Sequence, residues 1–295
     1  RSSPSRETTA ENSNSERSSF QGSDHCELTN STQKLNALGS SWKHAPSEPT
    51  VFDARTGYDR IATAYDKSSW RRFWKKNEYP IVKKIILRLF HKHSFQNALD
   101  IGAGTGFYSR LLESYSKNVV GIDISHEMTK IAQSKSKSIF LNIDFLKYRS
   151  DQEYDFALSA RTMSHVRRMD DFLNSINKNV SEGGSVIITD VHPKHNYYKT
   201  RFELKNEIVE IETYKHEMMD IFNYILDKMS DQVIYKEFDF RNLPDKWIST
   251  EFRSVFNSID PIFYILMFKK NGKFDENTYR YMHDTLKFSS VTNAN

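Results

Sequence analysis

Short apolar segments alternate with amphipathic stretches between residues 98 and 189, and this alternation restricts the possible folds more than any other feature of the chain. The apolar segments are residues 98–101, 119–123, 139–143, 156–159 and 186–189. Between them, apolar side chains recur at helical spacing near residues 108–115, 127–134 and 171–180. Short apolar strands separated by amphipathic helices are typical of βαβ units, in which helices cover both faces of a parallel sheet. We therefore expect a doubly wound α/β fold.

The sequence on either side of this region differs from it in composition and in apolar patterning. Residues 1–50 are rich in serine and poor in large apolar side chains, so we expect a largely disordered polar arm that is not a targeting peptide. Residues 51–275 are predicted to form the folded domain, and residues 276–295 a tail with a frayed end. Within the domain, residues 195–231 are predicted to be a helical cap insertion, and residues 233–238 and 262–268 two further strands.

Composition excludes several classes of protein. Hydrophobic residues make up 38% of the chain and aromatic residues 13%, which is enough for a substantial core. No apolar run is long enough to span a bilayer, so we expect a soluble, cytoplasmic protein. The net charge of +4 gives little support for a dedicated nucleic-acid binder. Cys26 is the single cysteine of the chain, so neither internal disulfides nor a cysteine-rich metal site is expected.

A glycine motif follows the first strand of the alternating region. Residues 98–106 read Ala-Leu-Asp-Ile-Gly-Ala-Gly-Thr-Gly, a strand that enters a glycine turn before a helix. Such a turn lets the backbone approach a nucleotide-like ligand closely. The spacing is G-x-G-x-G rather than G-x-G-x-x-G, and the lysine of a phosphate-binding loop is missing, so NAD and ATP are poor candidates.

Acidic residues follow the next two strands. Asp123 ends the second strand, beside the glycine turn in a parallel sheet, where its carboxylate could accept both hydroxyls of a ribose. Asp144 comes one strand further out, and its carboxylate suits the exocyclic amine of an adenine. The faces of that adenine would need apolar neighbours such as Ile124 and Phe145.

These motifs together resemble the class I S-adenosylmethionine-dependent methyltransferases, and among them the small-molecule type related to ubiquinone and menaquinone biosynthesis. The matching segments are residues 99–106, 121–125, 154–156, 164–166 and 183–184 with Asp144 and Asp190. The resemblance implies a Rossmann-like, mostly parallel sheet of seven strands with one antiparallel strand. It also implies S-adenosylmethionine as cofactor, S-adenosylhomocysteine as product, and no metal.

The resemblance assigns roles to individual residues. Asp100 would orient the methionine ammonium, Gly102 and Gly104 would line the methionyl part, Asp123 would hold the ribose and Asp144 would read the adenine. The remaining candidates for the cofactor site are Ala103, Gly106, Ile124, Phe145 and Ser159. Tyr58 and Tyr65 would belong to an N-terminal helix that closes over the site, so both are candidates for acceptor binding.

Several histidines could act as a general base. His192 and His165 are the leading candidates, because each follows a predicted strand at the edge of the sheet where the site should lie. His195 is a further candidate, and His216 could line the roof of an acceptor pocket. Arg161 could bind an acidic group of the acceptor or pair with a carboxylate of the protein.

The sequence leaves three functions open. The first is methylation of oxygen, nitrogen or carbon in a small, partly apolar or aromatic metabolite by a monomer or homodimer. The second is methylation of RNA, such as tRNA, or of protein, for which the weak net charge gives little support. The third is a protein of the same fold that binds the cofactor but performs other chemistry.

Overall fold

The computed structural model describes residues 48–90, 94–195, 199–205, 207–244 and 260–293. All of them fall within one compact unit, Ala45–Asn295. The predicted polar arm, residues 1–50, lies almost wholly outside the described residues. The predicted insertion, residues 195–231, is only partly covered, because residues 196–198 and 206 are also outside them.

A central sheet of eight strands organises the described part of the chain, in the order β11-β9-β10-β6-β5-β2-β3-β4. Its strands are β2 (Phe95–Ile101), β3 (Ser116–Asp123), β4 (Ile139–Asn142), β5 (Tyr154–Ala160), β6 (Val180–Val191), β9 (Gln232–Phe238), β10 (Phe263–Lys269) and β11 (Ser289–Thr292). The five strands from β4 to β6 are parallel, and β10 is antiparallel to both β6 and β9. This arrangement confirms the predicted doubly wound α/β class.

Helices follow the strands in the predicted alternation. They are α1 (Ala54–Tyr65), α2 (Ser69–Asn77), α3 (Tyr79–Phe90), α4 (Phe107–Leu112), α5 (His126–Gln133), α6 (Met169–Asn179), α7 (Met218–Lys228) and α8 (Glu276–Arg280). Polar side chains mark several of their first turns, as the sequence pattern requires. Asp53 accepts from the Thr56 amide at 3.0 Å to cap α1, and Ser125 accepts from the Met128 amide at 3.1 Å to cap α5.

The two faces of the sheet carry separate apolar cores. Alternate side chains of β10 illustrate the division, since Phe263 packs with Trp74 of α2 in one core while Tyr264 packs with Phe172 of α6 in the other. Successive side chains of a strand point to opposite faces, so a strand buried on both sides reads as an uninterrupted apolar run. That rule explains why these strands could be recognised from the sequence.

The structure differs from the predicted helical cap insertion, because two strands precede its helix. Residues 195–231 contain the strands β7 (Thr200–Glu203) and β8 (Ile208–Ile211), which pair in antiparallel fashion, and only then the helix α7. A third strand, β1 (Thr50–Phe52), pairs with β8 in parallel, which gives a separate sheet in the order β1-β8-β7. Helix α7 packs against the central sheet rather than over the site.

The C-terminal residues also differ from the expectation of a tail. Residues 276–295 contribute α8, a turn of π-helix over Tyr281–Thr285 and the strand β11, which is antiparallel to β9 and brings the central sheet from seven strands to eight. Gly183 and Gly184 lie within the long strand β6, at an irregularity in its pairing with β5. None of the helices described here combines the length and the apolar character needed to span a bilayer.

Candidate active site

The glycine turn lies between β2 and α4. Gly102, Gly104 and Gly106 have φ angles of +69°, +54° and +73°, in the left-handed region that favours glycine. The amides of Gly102 and Ala103 both donate to the carbonyl of Ile122 on β3, at 2.8 and 2.9 Å. The turn is thereby fixed against the neighbouring strand. A Cβ on Gly102 would lie 2.0 Å from Oγ1 of Thr162, so no larger residue fits there.

Asp123, at the end of β3, holds the far side of this turn. Its Oδ2 accepts from the Gly104 amide and its Oδ1 from the Ser125 amide, each at 2.8 Å. Burial raises the pKa of Asp123 to about 6, although the two amides act in the opposite direction. At neutral pH this carboxyl group is therefore mostly ionised, with lone pairs left on both oxygens for further donors.

A cavity of about 710 Å³ opens beside the turn, and we call it the glycine-loop cavity. Its acidic lining residues are Asp123 and Asp144, and the lining described contains no lysine or arginine. Apolar walls come from residues such as Ile124, Ile143, Phe145, Leu146 and Phe172. A Cβ on Gly104 would meet no protein atom within 4 Å, so the backbone there borders open space. The cavity thus offers acceptor oxygens at one end and flat apolar surface around them.

Six of the ten residues predicted for the cofactor site line this cavity. They are Gly102, Gly104, Asp123, Ile124, Asp144 and Phe145. Oδ1 of Asp144 also accepts from the Leu146 amide at 2.9 Å, which caps a short 3₁₀ helix, Phe145–Lys147.

The other four predicted residues are absent from the lining, and each has a structural place instead. Asp100 is buried and accepts from the Ser109 hydroxyl at 2.6 Å, and burial raises its pKa to about 6. Ala103 packs with Ala132 and Phe140, and Gly106 begins α4. Ser159 is fully buried inside the sheet. Ala103, Gly106 and Ser159 have these protein neighbours in the structure, and their assignment to the cofactor site stays a prediction.

Helix α1 covers the glycine-loop cavity and is anchored at two points, one in the middle of the helix and one just after its C-terminal end. Oδ1 of Asp59 accepts from the Ser125 hydroxyl at 2.6 Å and from the Glu127 amide at 3.0 Å, which joins α1 to α5. Just after α1, Asp66 accepts from the Thr105 hydroxyl at 2.8 Å. Tyr58 and Tyr65 of this helix both line the cavity, as expected for a helix that closes over the site.

A second cavity, of about 610 Å³, adjoins the first. Tyr65 and His165 line both, so the two cavities meet at these side chains. The basic residues of its lining are Arg71, Arg161, Lys199 and Arg201, and no acidic residue belongs to the lining among the residues described. We call it the arginine cavity.

Tyr58 and His165 form a hydrogen-bonded pair at the junction of the two cavities. The Tyr58 hydroxyl lies 2.8 Å from Nε2 of His165, and Nδ1 of His165 lies 2.8 Å from the carbonyl oxygen of Glu212. A carbonyl only accepts, so Nδ1 carries the proton of the neutral ring and Nε2 accepts from the tyrosine. Burial lowers the pKa of His165 and raises that of Tyr58 well above its usual value.

Arg161 follows β5 with a φ angle of +58°, an unusual conformation for a residue other than glycine. Its guanidinium pairs with the buried carboxylate of Glu78, which also accepts from the Thr189 hydroxyl at 2.8 Å and from the Tyr108 hydroxyl at 2.9 Å. Burial acts to lower the pKa of Arg161, but the Glu78 charge more than offsets it and the pKa is raised. Arg161 is therefore a fixed cation at the wall of the arginine cavity.

The structure places three of the predicted histidines away from both cavities. Nδ1 of His192 accepts from the Lys194 amide at 3.1 Å, and Nε2 lies 3.2 Å from Oε1 of Glu237, so the ring is fully engaged in protein contacts. His216 lies 2.9 Å from the carbonyl of Val166 and holds the segment that carries His165. His195 is buried and is not part of either lining. Neither His192 nor His216 lines either cavity, and their roles as base and as pocket residue stay predictions.

Comparison with known proteins agrees with this geometry. Residues 99–188 match the family profile of the methyltransferase domain. The chain carries an S-adenosylmethionine-dependent methyltransferase domain.

Relatives of the methyltransferase domain are distant. An uncharacterised protein of Methanocaldococcus jannaschii is 25% identical over 205 residues, which are 68% of this chain and 76% of that protein. The demethylmenaquinone methyltransferase of Tropheryma whipplei is 25% identical over 148 residues, 48% of this chain and 61% of the enzyme. The solved structure of the N-methyltransferase NodS from Bradyrhizobium japonicum with S-adenosylhomocysteine is 12% identical, with a TM-score of 0.53 over 74% of this chain and 99% of that one.

Several residues of the methyltransferase site were missed by sequence reasoning. Arg71, Trp70 and Trp74 come from α2, and Lys199 and Arg201 from the segment that was read as helical. None of these residues belongs to a motif, so sequence analysis assigned them no role. Thr162 was also missed, although it occupies the space that Gly102 leaves open. Arg201 could have been identified from one signal: Lys199 and Arg201 are two residues apart, a spacing that places both side chains on the same face of a strand.

Proposed function

We propose that this methyltransferase transfers the methyl group of S-adenosylmethionine to a small molecule held in the arginine cavity. The observation that carries the proposal is the junction of the two cavities at Tyr65 and His165. One cavity has acidic and apolar walls beside the glycine turn, and the other is basic and aromatic. A donor and an acceptor bound side by side in this way would meet at a single point.

The glycine-loop cavity fits the cofactor in its chemistry. The Asp123 oxygens retain acceptor capacity for ribose hydroxyls, and Asp144 lies where a carboxylate could accept from an adenine amine. The apolar walls suit the faces of the adenine ring. The open space at Gly104 allows the methionyl part to lie against the backbone. The NodS structure, with S-adenosylhomocysteine bound, has the same fold.

The bound cofactor supplies an activated methyl group on a sulfonium. The chain contributes alignment and exclusion of water, since α1 covers the junction and is held by the Asp59 and Asp66 hydrogen bonds. The carboxyl groups of Asp123 and Asp144 add a negative field on the side of the sulfonium, while the arginines lie on the acceptor side. The negative cavity thus favours the positively charged cofactor, and the positive cavity favours an acceptor with negative charge.

For an acceptor that must lose a proton, the Tyr58–His165 pair supplies the route. The Tyr58 oxygen takes the acceptor proton while its own proton passes to Nε2 of His165, across the 2.8 Å hydrogen bond. The raised pKa of Tyr58 requires the two transfers to be concerted, because a free phenolate in this buried position is unfavourable. The Glu212 carbonyl then stabilises the imidazolium through Nδ1.

The walls that enclose the arginine cavity favour a small acceptor over RNA or protein. The arginine cavity is bounded by α2, by the loop after β5 and by β7, with Phe202 and Trp70 among its walls. Walls on several sides suit a small ligand better than a polymer.

The proposal is tested by offering methyl-labelled S-adenosylmethionine with a metabolite extract, with total RNA and with protein in separate reactions. We expect label only in the metabolite fraction, and none when the Asp123→Ala variant replaces the wild type. Asp151→Ala, an exposed loop residue, is the matched control and should behave as wild type. Label in RNA or protein alone would contradict a small acceptor. Binding of S-adenosylhomocysteine without label in any fraction would indicate that the domain performs other chemistry.

A further inference from the structure

We propose that the acceptor carries a carboxylate or phosphate group, and that Arg161 and Arg201 bind this group while Trp70 and Trp74 contact its apolar body. The inference rests on the proposed function, because it takes the arginine cavity as the acceptor site. It adds the chemical class of the acceptor, which neither the domain family nor the fold specifies.

The first step is the balance of charge in the arginine cavity. Three of its four cations already have acidic partners: Arg71 lies 3.3 Å from Asp66, Lys199 lies 2.7 Å from Glu210, and Arg161 pairs with Glu78. No acidic partner is found for Arg201 among the residues described. The wall of this cavity therefore carries an uncompensated positive charge, which is costly in a partly enclosed site unless an anion binds.

The second step concerns two buried donors. The Nε atoms of Arg161 and of Arg201 are both buried, and neither has a hydrogen-bond partner among the described residues. Buried guanidinium N–H groups are normally satisfied, so two unpartnered Nε atoms on residues that line one cavity point to a missing acceptor. The Nε edge of a guanidinium presents two parallel N–H groups that match the two oxygens of a carboxylate or a phosphate.

The third step is the orientation of Arg161. One Nη group pairs with Glu78, and the guanidinium lies over the Trp74 ring, with Cζ at 5.0 Å from the ring centroid. These two contacts fix the plane of the group and leave the Nε side free. The backbone at Arg161 is left-handed and its amide donates to the Thr189 carbonyl at 2.7 Å, which fixes the residue at the cavity that it lines. Strain of this kind is retained where a side chain must be held in one place.

The fourth step is the apolar part of the lining. Trp70 and Trp74 stack with their ring centroids 5.7 Å apart at an angle of 21°, and both rings border the cavity together with Phe202. Flat aromatic surfaces beside fixed cations suit a ligand with a flat or apolar body and one anionic end.

The test uses the full chain saturated with S-adenosylhomocysteine and three probes of one shape: 2-naphthoate, 2-naphthyl phosphate and the neutral 2-naphthamide. Binding is measured by isothermal titration calorimetry. We expect at least one of the two anions to bind at least tenfold more tightly than the amide. A preference for naphthoate would identify a carboxylate acceptor, and a preference for naphthyl phosphate would identify a phosphate monoester.

Arg201→Gln is the informative variant, because replacing Arg161 would leave the buried Glu78 charge without its partner and could unfold the protein. We expect Arg201→Gln to weaken binding of the preferred anion at least tenfold and to leave the affinities for the amide and for S-adenosylhomocysteine within twofold of wild type. Arg168→Gln, which alters a side chain that is 66% exposed, should change none of these values.

Three results would overturn the inference: equal affinities of the wild type for the amide and both anions, no binding of any probe, or an unchanged anion affinity in Arg201→Gln. These results are distinct from failure of the proposed function. A wild type that does not bind S-adenosylhomocysteine would contradict the cofactor site itself, before any probe is added.

Discussion

Asp123 serves both the fold and the site at the residue scale. It accepts the amides of Gly104 and Ser125, which joins the glycine turn to the start of α5, and its carboxyl group borders the glycine-loop cavity. Burial makes its ionised form less stable than in water, and a ligand with hydroxyl donors restores part of the lost solvation. The same carboxyl group should therefore couple ligand binding to pH.

The affinity for S-adenosylhomocysteine should fall as the pH is lowered. The pKa of Asp123 is raised to about 6, so the group is mostly ionised at pH 7.5 and mostly protonated at pH 5. Hydroxyl donors bind the ionised form, so we expect a loss of roughly tenfold between these pH values. Calorimetric titration across this range measures it.

Asp100 provides the control for this pH dependence, because its pKa is also raised to about 6 but its oxygen is bonded to Ser109 rather than exposed to the cavity. Asp100→Asn should keep the slope of affinity against pH. A wild-type affinity that does not change between pH 5 and 7.5 would contradict the role of Asp123 in ligand binding.

Single residues differ in how well the sequence predicts them. The carboxyl groups that follow parallel strands could be placed, because adjacent parallel strands end at the same edge of the sheet. His192 could not, because neighbouring side chains at a strand end point to opposite sides. Val191 lines the arginine cavity, whereas His192, one residue later, turns towards Glu237.

At the scale of elements, α1 is the part that closes the site, and it depends on a close approach to β8. Gly57 of α1 lies against Ile211, which is fully packed in a small apolar cluster with Ile61 and Val209. A Cβ on Gly57 would lie 2.6 Å from Cγ1 of Ile211. Glycine thus lets the helix pack directly on the strand.

Gly57→Ala tests this packing, because two effects of opposite sign compete. Alanine favours the helical conformation by about 1 kcal/mol, while overpacking of a tight contact costs about 1–3 kcal/mol. We expect the second to dominate, with a lower melting temperature and weaker binding of S-adenosylhomocysteine because α1 is displaced. Both are measured by thermal unfolding with and without the ligand.

Gly272→Ala is the matched control for this substitution, since the nearest atom to its Cβ would be the Lys270 carbonyl oxygen at 3.8 Å. It should leave ligand binding unchanged. A Gly57→Ala protein that is as stable as wild type and binds as tightly would show that α1 does not depend on close contact with β8.

The sequence predicted the helices and strands of the parallel region because their apolar periodicities are clear. It did not predict β7 and β8, because charged residues interrupt both four-residue strands, so neither forms the continuous apolar run that identified the equally short β4. Their pairing with β1, which is distant in the chain, is a tertiary contact that local pattern does not report. The arginine cavity was missed for the same reason, since its cations come from separate segments.

At the scale of the whole molecule, the C-terminal residues complete the central sheet. Strand β11 pairs with β9 at the edge, and Phe288, just before it, is buried in the core that contains Phe238 and Phe263. The residues around Phe288 are mostly polar, so the sequence pattern does not indicate that this side chain is buried. The segment is a structural part of the methyltransferase domain.

Phe288→Ala should lower the free energy of unfolding by about 3–5 kcal/mol, as expected when a buried aromatic side chain is removed. Leu87→Ala is the control, because Leu87 is 44% exposed and should change stability by less than about 1 kcal/mol. Both values come from urea unfolding. A loss below about 1 kcal/mol for Phe288→Ala would mean that the C-terminal residues do not pack on the sheet.

The most direct measurement of the central claim is calorimetric titration of the wild type and of Asp123→Ala with S-adenosylhomocysteine at pH 7.5. We predict that one equivalent of ligand binds to the wild type. Loss of the carboxylate as hydrogen-bond acceptor should weaken that binding by about 2–4 kcal/mol, or roughly 30- to 1000-fold. No detectable binding to the wild type, or equal affinity in the two proteins, would contradict a cofactor site at the glycine turn.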